Sequence, residues 1–179
     1  EGHYLQCLPP TAPTGQPTRP WSVLLNPPGR PAMKFHSLWR LKSGLAAVGY
    51  QWDDKLDLRR TVVQFYTFEG KERGPQQVMS SFYAHVPDEY EDEIIPGANE
   101  TQLLWLATNR AAPPEKRRYF CSVWSAAGRL QWGHEVQMPH TSLGYTVRMA
   151  QVDDDGKPCF LLTHERPERP PLLLFYDPK

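Results

Sequence analysis

The stretch that decides the fold is residues 117–137, RRYFCSVWSAAGRLQWGHEVQ, which has the pattern of a β-hairpin. Ring, aliphatic and thiol side chains occupy every second position on both sides of the small turn at 126–128. They are Tyr119, Cys121, Val123, Leu130, Trp132, His134 and Val136. This period of two is typical of strands and not of a helix. An isolated hairpin is marginally stable in water, so we expect further strands to cover it.

The hairpin is apolar on its second face as well, because Phe120 and Trp124 point away from Tyr119 and its neighbours. We therefore predict that one face covers the core and that another layer, a loop or a partner buries the other. Trp132 is in phase with Leu130 and Val136, so we expect its ring to be buried.

Runs with the same short period recur along the whole chain, separated by Gly and Pro turns. The 19 prolines are about twice the average usage, which disfavours long helices. The pattern predicts an all-β fold, an antiparallel β-sandwich or barrel of about nine to eleven short strands with little helix. We interpret residues 1–20 as a Pro-rich N-terminal arm and residues 21–179 as a single all-β domain.

Charge and hydropathy exclude some partners. Lys and Arg number 20, as do Asp and Glu, so there is no net charge to attract nucleic acid. No run of eighteen apolar residues is present, so we predict no membrane span. The chain begins with Glu1 and not with Met, which fits a mature or trimmed form, and a periplasmic or secreted location is our expectation.

Three cysteines leave the disulfide state open. Cys121 and Cys159 both lie in apolar, strand-like runs, whereas Cys7 is alone near the start. Buried thiols are the favoured interpretation, and a bridge between Cys121 and Cys159 is the alternative.

One acidic segment carries the prediction of a binding site. It contains five carboxylates in six residues: Asp88, Glu89, Tyr90, Glu91, Asp92 and Glu93. Like charges repel one another, so we interpret the segment as a solvated loop unless a cation or a basic partner meets it. We predict that these six residues bind another protein with a basic surface. A loop kept acidic for solubility is the alternative.

Histidines and carboxylates also suggest a metal site, with His134, Glu135 and His140 close to His164 and Glu165 on the next hairpin. Their spacing matches no known ligand pattern, and His134 fits a hydrogen-bonded, half-buried residue. We therefore expect no metal and no cofactor. Nucleophile elbows and phosphate-binding glycine loops are missing from the sequence, so we assign no catalytic residue.

These observations favour a non-enzymatic interaction protein of the cell envelope or exterior, which binds and inhibits a protein partner in the manner of an inhibitor or immunity protein. Six Trp and eight Tyr support a different class, a carbohydrate-binding module with exposed rings. A hydrolase whose site leaves no sequence motif is the third class. The oligomeric state is left open.

Overall fold

The computed structural model describes residues 4–7, 21–25, 29–83, 90–109, 112–138 and 143–177. The strands in these ranges are β1 (Tyr4–Cys7), β2 (Trp21–Leu24), β3 (Lys34–Leu41), β4 (Gly44–Asp53), β5 (Leu58–Tyr66), β6 (Gln77–Tyr83), β7 (Glu91–Pro96), β8 (Gln102–Thr108), β9 (Tyr119–Ser125), β10 (Leu130–Val136), β11 (Tyr145–Val152), β12 (Pro158–His164) and β13 (Leu172–Phe175). One short 3-10 helix, Pro114–Lys116, is the helical element of the described chain. The all-β prediction is confirmed. The described strands outnumber the prediction by two, because the sequence interpretation omitted β1 and β7.

The contacts divide the chain into two compact units. Unit 1 comprises Glu1–Trp39 and Gly44–Phe82, and unit 2 comprises Arg40–Ser43 and Tyr83–Lys179. In unit 1, β1 pairs with β2, and the other strands form a sheet in the order β3-β4-β5-β6. The proposal of one domain over residues 21–179 stays a prediction.

Unit 1 buries the strands that have the most β-branched and aromatic side chains. Its core cluster contains Leu25, Met33, Ala47, Val62 and Tyr66. A glycine is required at position 49, since a Cβ there would lie 2.5 Å from the Lys34 carbonyl oxygen. Arg30 and Glu72 form a bidentate ion pair in unit 1. The distances are 3.0 Å from Nη1 to Oε1 and 2.9 Å from Nη2 to Oε2.

Unit 2 is a two-layer, sandwich-like arrangement of a four-stranded sheet, in the order β10-β9-β8-β7, and a three-stranded sheet, in the order β11-β12-β13. Side chains of both sheets form one core, and no closed barrel is formed by the described strands. The core residues are Leu104, Leu106, Tyr119, Cys121, Val123, Val136, Met138, Tyr145, Ala150, Val152, Phe160 and Leu162. The sandwich alternative of the prediction is therefore the one that the structure supports.

The predicted hairpin at 117–137 is confirmed as the antiparallel pair β9 and β10. Its turn closes through Gly128, whose φ of 78° lies in the region that favours glycine. The expectation for Trp132 was wrong in part. A register shift between Leu130 and Trp132 breaks their common phase, so Leu130 is 53% exposed and Trp132 is half-buried.

The second face of the hairpin is buried along β9 but exposed along β10, so the prediction holds for one of the two strands. Trp124 and Ser122 on β9 are buried, and so is every residue of β8. The Trp124 indole N–H donates to the Ser122 hydroxyl at 2.9 Å. Since β8 is buried on both faces, it is a central strand of its sheet, and its nearly continuous apolar sequence is typical of such a strand.

Cys121 and Cys159 are free thiols, so they do not form the alternative disulfide. Cys121 faces the core, and burial raises its pKa to about 12. Cys159 is half-buried, and its pKa is raised by desolvation and by the charge of Asp153. The described part of the chain contains no helix with the length and hydrophobicity needed to cross a bilayer.

Candidate functional site

The acidic segment does not have the uniform loop structure that the sequence suggested. Asp88 and Glu89 lie outside the described residues, whereas Glu91 begins β7, which pairs antiparallel with β8. The expectation of a solvated loop was therefore wrong for residues 91–93. The pairing with β8 and the burial of Ile94 hold this part in a strand. Charged side chains are tolerated there because β7 is outermost in its sheet.

Alternation along β7 separates the carboxylates of the segment. Glu93 lies opposite Leu106, a residue of the unit 2 core, so Glu91 and Glu93 share the face that turns toward the second sheet. Both are exposed. Asp92 points to the opposite face, where it is half-buried and accepts a hydrogen bond from the Trp105 indole N–H at 3.1 Å. Asp92 thus anchors the strand, and its two neighbours reach solvent.

Tyr90, the aromatic residue of the predicted site, packs at the start of β7. Its ring lies edge-on to Phe120, with the centroids 6.2 Å apart. The Arg118 guanidinium stacks over the same Phe120 ring at 5.4 Å and forms an ion pair with Glu135. Hydrogen bonding to Arg118 lowers the pKa of Glu135, and the same contact raises the pKa of Arg118. Tyr90 is therefore a packed residue at the edge of the candidate site.

A small notch opens beside β7. It has a volume of about 30 Å³. The residues that line it are Glu93, Leu106, Thr108, Arg117, Tyr119, Val147 and Arg148. Of these, only Glu93 belongs to the predicted site. Arg148 reaches the notch from a bulge in β11, at the register shift between Val147 and Met149. A β-bulge changes the direction in which one side chain points.

The opposite edge of the same sheet has an aromatic cluster. The Trp132 and His134 ring centroids lie 5.1 Å apart, and Tyr176 lies 6.0 Å from Trp132. His134 Nε2 is 2.7 Å from the Tyr176 hydroxyl oxygen, and the Trp132 indole N–H donates to the Gly156 carbonyl at 2.9 Å. His134 is exposed, not half-buried as predicted, although its hydrogen bond is present. We call these three residues the aromatic edge.

The residues of the metal hypothesis have other contacts. Glu135 pairs with Arg118, and His164 Nε2 lies 2.8 Å from the Leu143 carbonyl oxygen. His140 lies outside the described residues. In the part of the chain that the structure describes, no three His, Cys, Asp or Glu side chains form a group that could hold a metal ion.

Sequence reasoning missed the other polar residues of the notch. Thr108 ends an apolar strand, and the position of Arg148 depends on a bulge, so neither has a pattern that marks it in the sequence. Arg117 stands out in the sequence only as the first residue of the hairpin stretch 117–137. No protein-family model and no curated protein sequence matches the chain.

Proposed function

We propose that this protein binds a protein partner along β7 and acts by occupying that partner, as an inhibitor or immunity protein does. One observation carries the proposal: Glu91 and Glu93 are exposed on the outermost strand of a sheet. The partner's binding segment would be extended and rich in Lys or Arg. Occupying a partner in this way needs neither a cofactor nor a catalytic residue.

The physical basis is strand addition combined with charge complementarity. Among the described strands, β7 has a hydrogen-bonded neighbour only on the β8 side. The backbone of an outermost strand can pair with an incoming segment, and pockets or charges beside it select the side chains. Exposed carboxylates act mainly on the association rate, because they attract a basic segment before contact. Asp92 keeps β7 in place through Trp105 while this happens.

The first experiment identifies the partner. Three forms of the protein are immobilised and exposed to an extract of the native source: the wild type, the variant with Glu89, Glu91 and Glu93 changed to Gln, and a control. The control has three exposed carboxylates changed to Gln elsewhere, Glu115, Glu165 and Glu168. We expect mass spectrometry to find a protein that the wild type and the control retain and that the β7 variant loses. A protein retained equally by all three forms would contradict the proposal.

The second experiment measures association with the recovered partner. We expect the β7 variant to associate several-fold more slowly than the wild type and to dissociate at a less altered rate. Its association rate should also depend less on salt, because fewer charges attract the partner. Equal association rates for wild type and variant across a salt series would leave only the solubility interpretation of the acidic segment.

Carbohydrate binding at the aromatic edge is the second candidate function. The observation that favours it is a half-buried Trp132 ring fixed by its hydrogen bond to Gly156, beside Tyr176. A fixed aromatic face is suited to stacking on a sugar ring. A glycan array tests it: Tyr176→Ala should abolish binding of any glycan that the wild type retains. No glycan bound by the wild type would eliminate this candidate.

A further inference from the structure

We propose that protonation of His164 releases the loop between β12 and β13, residues 165–171, so that this loop responds to pH. His164 ends β12 and is half-buried. Its Nε2 is 2.8 Å from the Leu143 carbonyl oxygen, and its Nδ1 is 2.8 Å from the Arg166 backbone nitrogen. His164 lies in the three-stranded sheet and β7 in the four-stranded one, so this device is independent of the partner proposed for β7.

The two backbone partners fix the protonation state of the ring. The Leu143 carbonyl can only accept a hydrogen bond, so Nε2 must carry a proton and donate it. The Arg166 backbone N–H can only donate, so Nδ1 must have a free lone pair. Both hydrogen bonds therefore exist together only in the neutral ring with its proton on Nε2. A second proton, on Nδ1, would place two N–H donors against each other and break the bond to Arg166.

The surroundings of the ring hold it in the position that these bonds need. The buried Tyr145 ring of β11 contacts it edge-on, with the centroids 4.9 Å apart and the planes at 81°. Gly144 lies against Nε2, and a Cβ at this position would be 3.2 Å from that atom. The φ of Gly144 is 83°, in the region that favours glycine. The ring therefore packs closely on the backbone that carries the Leu143 carbonyl.

The loop is attached to the sheet near both of its ends. Its first attachment is the bond from the Arg166 N–H to His164, and its last is the bond from the Tyr145 hydroxyl to the Pro170 carbonyl at 3.2 Å. Between them, the Arg169 N–H donates to the Arg166 carbonyl at 3.1 Å. Every residue of the loop is exposed, so no buried side chain holds it. Loss of the bond to His164 therefore frees the first half of the loop, while Tyr145 retains the second.

The pH range of the release follows from the chemistry of histidine, whose charge ordinarily changes between about pH 5 and pH 8. The bond to Arg166 is present while the ring is neutral and is lost as the pH falls. Of the described segments that contact the ring, β11 contributes one titratable group, Tyr145, and residues 143–144 contribute none. The loop itself has two acidic and two basic side chains, all exposed: Glu165, Arg166, Glu168 and Arg169.

The test is NMR spectroscopy of the whole chain, labelled with nitrogen-15, during a titration from about pH 8 to about pH 5. Long-range proton–nitrogen correlations show which ring nitrogen carries the proton, and at the alkaline end we expect it on Nε2 of His164. On acidification, the Arg166 amide proton should move toward the shift of an amide without a hydrogen bond, with the same midpoint as the His164 ring. A proton on Nδ1 at the alkaline end would overturn the proposal, and so would an Arg166 shift that does not follow the ring.

Two variants separate protonation of this ring from a general effect of acid. His164→Asn supplies an uncharged acceptor that bonds readily to the backbone N–H two residues on, so the Arg166 amide should lose its pH dependence. At the acid end, we expect this amide to exchange about tenfold faster in the wild type than in His164→Asn, the effect of losing one hydrogen bond.

The control is His36→Gln, at an exposed histidine of unit 1, and it should titrate at Arg166 as the wild type does. Unchanged pH dependence in His164→Asn, or its loss in His36→Gln, would contradict the proposal. These measurements need no partner, so failure of the β7 proposal and failure of this one are distinguishable.

Discussion

In the four-stranded sheet of unit 2, the two outermost strands are β7 and β10, and they differ in the side chains that they expose. At β10, Trp132, His134 and Tyr176 pack together at the aromatic edge. At β7, Glu91 and Glu93 are exposed, and the strand is held by Asp92 and Ile94. An outermost strand needs protection against unwanted pairing, and bulky cover and charge are two ways to provide it. We therefore expect a partner strand to pair with β7 and not with β10.

The largest expected effect is on stability at β10. Trp132→Ala should lower the free energy of unfolding by about 2–3 kcal/mol, somewhat less than for a fully buried Trp, because the ring is only half-buried. The variant also loses the hydrogen bond to Gly156. Urea denaturation measures the change. An unchanged midpoint would mean that the aromatic edge has no structural role and would shift weight to carbohydrate binding.

The next effect is on the anchor of β7. Asp92→Ala leaves the indole N–H of the buried Trp105 without its acceptor, so we expect a loss of about 1–2 kcal/mol. Glu115→Ala, at an exposed carboxylate in the 3-10 helix, is the control and should change stability by less than about 0.5 kcal/mol. If both variants unfold at the same urea concentration, the Asp92 contact does not hold β7.

A smaller effect concerns the ion pair beside β10. Arg118 lowers the pKa of Glu135, so the pair stabilises the fold above the unfolded-state pKa of this carboxyl, and that contribution is lost as the pH falls through the folded-state pKa. Glu135→Gln should therefore be slightly less stable than the wild type at neutral pH and should approach it in acid. A difference that is independent of pH would refute this role of the pair.

The same comparison explains what the sequence could predict. The hairpin β9 and β10 is recognisable because large side chains recur at every second position of its sequence, and the fold class follows from many such runs. In β7, only Ile94 is buried, and the strand begins with three consecutive acidic residues. Its sequence therefore lacks the alternation that marks a strand. Pairing with β8 decides its structure, and a single sequence does not reveal that pairing. The notch was missed for a related reason, since β7, β8, β9 and β11 must come together before Thr108 and Arg148 line one cavity.

The exposed side chains of β7 allow a matched test of stability. Changing Glu91 and Glu93 to Gln should leave the unfolding midpoint nearly unchanged, because surface substitutions have small effects. Slower association of this two-residue variant with the partner would then reflect lost charge and not lost structure. A large drop in the midpoint would show that these carboxylates are structural.

The most direct test of the account is amide hydrogen exchange of the complex with the recovered partner, because it compares the two outermost strands in one measurement. Strand addition should slow exchange along β7, residues 91–96, where new backbone hydrogen bonds form, and should leave β10, residues 130–136, as it is in the protein alone. Slower exchange in β10 with unchanged exchange in β7 would contradict the claim that β7 is the binding edge.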